Sequence, residues 1–379
     1  MPKIMESIAE MTGGKSYHTY KYSYDKIGIP SIDYDDNQNI IWKEYGETIH
    51  HKESVNLKRI ADQINDQPLI KYFLDGSRRV FKVDDIAYEN QIFPVVAGQI
   101  GVACCKRENS HIKCEKFYKK LVLTLPKKSN PEGWGDDLYF KSKLDSLNKS
   151  EELKKLGLVF SAIIPYKTNS EEFENKAIAK IQDYMIESEK EMVAELVKDK
   201  LLGQDDYLLK DGSLQYHKTS SKKEESHSLK KIKNRYNWVI GVSKSFNPEL
   251  CLDNKGKKNS NYIAELKVFH RTPVAKYYSS QVGEDVYFGI WYIRLRDKLR
   301  TQTPFDGVVK VEKIMMDNEI EDGIDSDTID LISANIINER NPTCYGKDHR
   351  WANHLYPIYL TESYAKSQYL NTNTFLSLF

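Results

Sequence analysis

"IKYFLDGSRRVFKV", residues 70–83, carries the architecture of this chain. Its Ile, Tyr, Phe, Leu and Val residues are interrupted by Asp75-Gly76-Ser77, which has turn chemistry: Asp hydrogen-bonds its own backbone and Gly accepts positive φ. The stretch therefore reads as a strand, a turn and a return. "FPVVAGQIGVACC" at 93–105 and "KKLVLTLP" at 119–126 follow, so three successive strands are expected.

The same tripeptide returns in "YLLKDGSLQY", residues 207–216, again behind an apolar run. At ordinary residue frequencies it is expected on the order of a tenth of a time in a chain this long. Common turn chemistry accounts for one copy. Two copies behind apolar strands raise a second possibility, that Asp75 and Asp211 project from adjacent strand ends. Facing carboxylates repel unless a cation lies between them, so this second reading predicts a Mg²⁺ or Mn²⁺ site.

Between the two lies "EFENKAIAKIQDYMIESEKEMVAELVKDKLL", residues 172–202, which has no Gly or Pro and sets Ala177, Ile181, Met185, Met192 and Leu196 at helical spacing. A long helix follows from that pattern. Glu187, Glu191 and Glu195 share one of its faces. A row of solvated acids is the simpler account of them. The end of the helix feeds the strand bearing Asp211, however, so one of Glu191 and Glu195 is also a candidate ligand.

Further on, "NWVIGVSKSF" (237–246) reads as a strand, and "VYFGIWYIRL" (286–295) with "FDGVVKVEKIM" (305–315) as an antiparallel pair. The whole order matches an RNase H-like α/β sheet: antiparallel strands first, then parallel crossovers, with helices flanking. Residues 1–66 are polar and mixed, an expected N-terminal arm or oligomerisation segment. Residues 67–379 form the expected main domain, with insertions near 127–150 and 219–236.

Bulk composition narrows the partners. Lys+Arg 56 against Asp+Glu 55 gives a net charge of +1, so a polyanion would have to meet a local patch. Arg78 and Arg79, Lys230, Lys231 and Lys233, and Arg294 and Arg296 are the candidate phosphate contacts, although such runs are also ordinary solvated surface. The five cysteines lack paired CxxC spacing, so neither a disulfide framework nor a structural zinc is expected. No signal peptide or membrane span is read, and a cytoplasmic location is expected.

The ordered set "LDGSRR", a glutamate-bearing helix, "YLLKDGSL", "VIGVSK" and a near-terminal "YPIYL" resembles the NurA family of nucleases over roughly residues 66–370. That resemblance implies an RNase H-like fold and metal-dependent DNA nuclease activity with two Mn²⁺ or Mg²⁺ ions. It also implies a homodimer and a HerA-like hexameric ATPase as partner, in DNA repair or, by analogy, antiviral defence. Carried over by position, Asp75, Asp211 and Glu195 (or Glu191) become metal ligands, Lys244 sits near the scissile phosphate, and Tyr356 belongs to the last active-site element. The family pattern has His or another polar ligand eight residues after that Tyr; here Tyr364 stands there, and His354 or Glu362 is left to supply the group. The alternative is a weak or inactive RNase H-like scaffold or DNA-binding subunit. An Argonaute-type module ranks behind both, for want of an acidic tetrad in order.

Overall fold

The computed structural model describes residues 4–24, 40–64, 68–130, 135–169, 172–215, 233–251, 257–279, 286–297, 303–340 and 349–379. Ten principal strands run through one sheet: β1 (Ile40–Tyr45), β2 (Ile70–Tyr88), β3 (Gln91–Glu108), β4 (His111–Pro126), β5 (Phe160–Tyr166), β6 (Tyr207–Asp211), β7 (Val239–Ser243), β8 (Ala275–Ser279), β9 (Tyr287–Arg294) and β10 (Val308–Ile314). Their spatial order is β1-β8-β9-β10-β7-β6-β2-β3-β4-β5, and four two-residue strands pair alongside. Within it, β2, β3 and β4 form an antiparallel meander, then β6 lies parallel to β2 and β7 parallel to β6. This is the expected mixed α/β sheet, with the antiparallel strands first and the parallel crossovers after.

The sequence reading is corrected at its starting point. Asp75-Gly76-Ser77 does not turn: β2 passes straight through it for 19 residues. Gly76 is absent from the residues with positive φ, whereas Gly212, in the second copy, has φ +83° and does leave its strand. The return of the chain comes later, at Glu89-Asn90, where Glu89 takes φ 54°. Long-range pairing with β3 through the tripeptide, and with β6 up to Leu74, outweighs local turn chemistry, because each in-register residue gains ladder hydrogen bonds and burial.

Two apolar layers cover the sheet. One packs β2–β5 against helices α1 (Ile4–Thr12), α2 (Asp136–Leu147) and α3 (Phe173–Lys198), through Ile181, Met185, Met192 and Leu196 of α3. The other packs the central strands under α4 (Ser326–Asn338) and α5 (Tyr356–Ser367), through Ile329, Ile332, Ile336 and Ile358. With both faces covered, β3 is buried almost without interruption from Phe93 to Cys105.

The described parts of the segment read as an N-terminal arm pack into this body. Ile4, Met5 and Ile8 are at most 2% exposed, β1 closes one edge of the sheet, and Glu47 is fully buried against Arg271 at 2.8 Å. The 127–150 stretch contributes Tyr139 and Phe140 of α2 to the core. Of the second expected insertion, near 219–236, residues 219–232 lie outside the described residues.

Candidate active site

Asp75 and Asp211 owe their approach to register. Leu74 of β2 pairs with Lys210 of β6, so the next residue of each strand is an aspartate beside an aspartate, on the face covered by α5. Val242 of β7 pairs with Asp211 in turn, and Lys244, just past the end of β7, swings its ammonium to within 3.0 Å of Asp211 Oδ2. Glu362 of α5 completes the group and is bound by Lys366, one helical turn on, at 2.6 Å.

The electrostatics are those of a crowded acid site. Asp75 is 5% exposed and its buried Oδ2 accepts no hydrogen bond among the described residues. Burial, the Asp211 carboxylate, Glu362 and Glu189 push Asp75 well above the usual carboxylate range, against the pull of Lys244. Burial would lower Lys244, but Asp211, Asp75 and Glu362 outweigh it and hold the ammonium protonated. Glu362 is drawn below its ordinary value because Lys366 and Lys244, with His354 nearby, outweigh its own burial.

The turn after Asp211 is built by a residue the sequence did not single out. Glu312 of β10, fully buried, accepts from Ser213 Oγ at 2.8 Å, the Leu214 amide at 2.7 Å and Gln215 Nε2 at 3.0 Å, and pairs with Lys310 at 2.8 Å. Asn353 clasps the neighbouring strand end: its Nδ2 donates to the Lys244 carbonyl at 2.7 Å and its Oδ1 accepts from the Gly307 amide.

The other sequence candidates fall elsewhere. Glu191 pairs with Lys120 at 2.7 Å and Glu195 with Lys116 at 3.5 Å, both on the exposed flank of α3 over β4. The glutamate that α3 points under the site is Glu189, 4% exposed. A charged residue on the Met185–Met192–Leu196 stripe was the signal for it. Tyr356 is half exposed and its ring stacks on Tyr359, while His354 is buried beside the α5 entrance. Arg294 is 1% exposed and its guanidinium is spent on the carbonyls of Ile263, Ala264, Pro304 and Asp306, so burial removes it from any phosphate-binding surface. Arg78 bonds Gln182, Arg79 lies over the Tyr369 ring, Arg296 over Trp351, and Lys233 pairs with Asp317. Lys230 and Lys231 lie outside the described residues.

Hard oxygen donors and a buried carboxylate oxygen with no donor facing it match what Mg²⁺ or Mn²⁺ prefers. Asp75, Asp211 and Glu362 are the acids gathered there. Among the described residues no group of three or more His, Cys, Asp or Glu side chains is placed so as to hold a metal ion, and Lys244 answers one Asp211 oxygen.

The strand order defines a mixed α/β sheet flanked by helices, with acids at the junction of its antiparallel and parallel halves. No family model matches the chain, and no curated protein does. Among solved structures the chain is similar to the NurA nuclease from Sulfolobus solfataricus, at 11% identity across 86% of this chain and 81% of that one, with a TM-score of 0.33. No helix among the described residues is long and apolar enough to cross a membrane.

Proposed function

We propose that this protein is a divalent-metal-dependent DNA nuclease of NurA type that cleaves phosphodiester bonds. The observation that carries the reading is the juxtaposition of Asp75 and Asp211 on adjacent parallel strands, with the Asp75 Oδ2 buried and unsatisfied. Such an arrangement is costly for a fold and is repaid by function.

In this reading Asp75, Asp211 and Glu362 hold the metal, and two Mg²⁺ or Mn²⁺ ions when bound supply water activation and stabilisation of the leaving oxygen. Lys244 remains charged beside Asp211, where a phosphodiester oxygen bound at the acids would meet it. Asp75 is buried while Asp211 and Glu362 are partly exposed, so the charge on Asp75 acts at lower local dielectric than theirs. Arg79 and Arg296, each over an aromatic ring, are the described basic groups suited to backbone phosphates. A homodimer fed with DNA by a HerA-like hexameric ATPase, in end processing or antiviral defence, is the biological setting that the sequence resemblance suggests.

The test is cleavage of linear and circular DNA with Mn²⁺, Mg²⁺ or EDTA, by wild type and Asp75→Ala, with and without such an ATPase. Metal-dependent cutting lost in the variant supports the reading. A second reading, a non-cleaving scaffold, is favoured by two features: Glu191 and Glu195 are ion-paired on the far flank of α3, and Tyr364 stands at the terminal motif's polar position. Absence of cutting in every condition with folded protein would select it.

A further inference from the structure

Behind the two aspartates, on the opposite face of the sheet, lies a buried ion pair. Lys210 Nζ is 2.8 Å from Glu189 Oε2, and the two side chains are 5% and 6% exposed. The same Nζ donates to the main-chain carbonyl of Asp211 at 2.7 Å. On the other strand, Glu189 packs on the backbone of Gly76: a Cβ built there would lie 2.2 Å from Glu189 Oε1. At Gly212 the nearest atom to a built Cβ is Lys210 Nζ, at 3.7 Å.

One ion pair thus touches the backbone beside both aspartates. Strand alternation sends Asp75 and Asp211 to the α5 face and their neighbours to the α3 face. The glycine after Asp75 leaves the space that the pair fills. The glycine after Asp211 turns the chain at φ +83°, while the carbonyl just before it is held by Lys210. This is the physical content of the repeated Asp-Gly.

We infer that Glu189 and Lys210 are positioning residues that set the relative placement of Asp75 and Asp211 from behind the sheet. The inference rests on the nuclease reading for its catalytic consequence and on geometry for the rest. Glu189 contacts Lys210 and the Gly76 backbone, not the reacting groups, so it acts through the strands.

A purely structural pair would behave differently from a positioning pair. Replacing a buried ion pair by apolar side chains of similar volume is often neutral or stabilising, whereas removing one partner is not. The experiment therefore compares full-length wild type, Lys210→Met, Glu189→Met and the double variant. It reads melting temperature, DNA cleavage with Mn²⁺ and hydrogen exchange of the 207–214 segment. That segment includes the Gly212 amide, which donates to the Val242 carbonyl at 2.8 Å.

The expected result is that the double variant regains the wild-type melting temperature. Its kcat stays about 10²-fold low with KM little changed, and exchange at Asp211 and Gly212 stays fast. Recovery of stability, cleavage and exchange together would overturn the inference. Should wild type cleave nothing with any metal, the nuclease reading fails by itself. Exchange then still decides positioning: protection of 207–214 unchanged in both single variants overturns it, and loss confined to that segment supports it.

Discussion

Lys244 Nζ lies 3.0 Å from Asp211 Oδ2, with Asp75 and Glu362 close enough that all three acids raise its proton affinity. Removing that ammonium leaves the carboxylates facing one another. Lys244→Met is expected to destabilise the fold by about 2 kcal/mol, tempered by the partial exposure of the pair. Added Mn²⁺ should restore more melting temperature in this variant than in wild type. Differential scanning fluorimetry with and without the ion checks both.

Asp75→Asn is expected to gain stability and lose cleavage. The folded-state affinity of Asp75 for its proton exceeds the unfolded one, so its contribution is favourable below the unfolded carboxylate range and is lost as pH rises through the folded value. Once ionised, the side chain therefore opposes folding. The neutral variant should melt higher at pH 7 and show a smaller advantage near pH 4; a variant melting lower by more than about 1 kcal/mol would contradict this.

Glu312 has the opposite sign. Burial raises it, but Lys310, the Leu214 amide and Ser213 prevail and hold it below the ordinary glutamate value. Its stabilisation is complete above the unfolded value and is lost as pH falls through the folded one. Glu312→Gln should cost about 3 kcal/mol at pH 7 and flatten the acid limb of the stability profile. Denaturant melts from pH 3 to 7 measure it.

Arg271, fully buried, joins Glu47 at 2.8 Å to Asp330 of α4. Arg271→Met leaves Glu47 buried without its partner and should destabilise by about 3–5 kcal/mol. For the same reason, deleting residues 1–66 should give insoluble or unfolded protein rather than an active 67–379 domain. A cooperative melt of the truncated chain near the wild-type temperature would refute that.

Local sequence determined the elements. The Val, Ile and Phe content of 70–126 specifies long strands, the unbroken helical period of 173–198 specifies α3, and the tripeptide at 211–213 ends a strand because Gly212 takes positive φ. It also drew attention to Asp75, Asp211 and Lys244, which the structure brings together. Tertiary structure decided what each repeated motif became. Asp75-Gly76-Ser77 was extended by in-register pairing with β3, in a strand that β6 pairs up to Leu74, because the ladder hydrogen bonds outweigh an isolated turn preference. The choice of Glu189 over Glu191 and Glu195 was likewise tertiary. Helical phase alone puts a glutamate on several faces, and only the sheet beneath α3 makes one of those faces the buried side, where Lys210 waits.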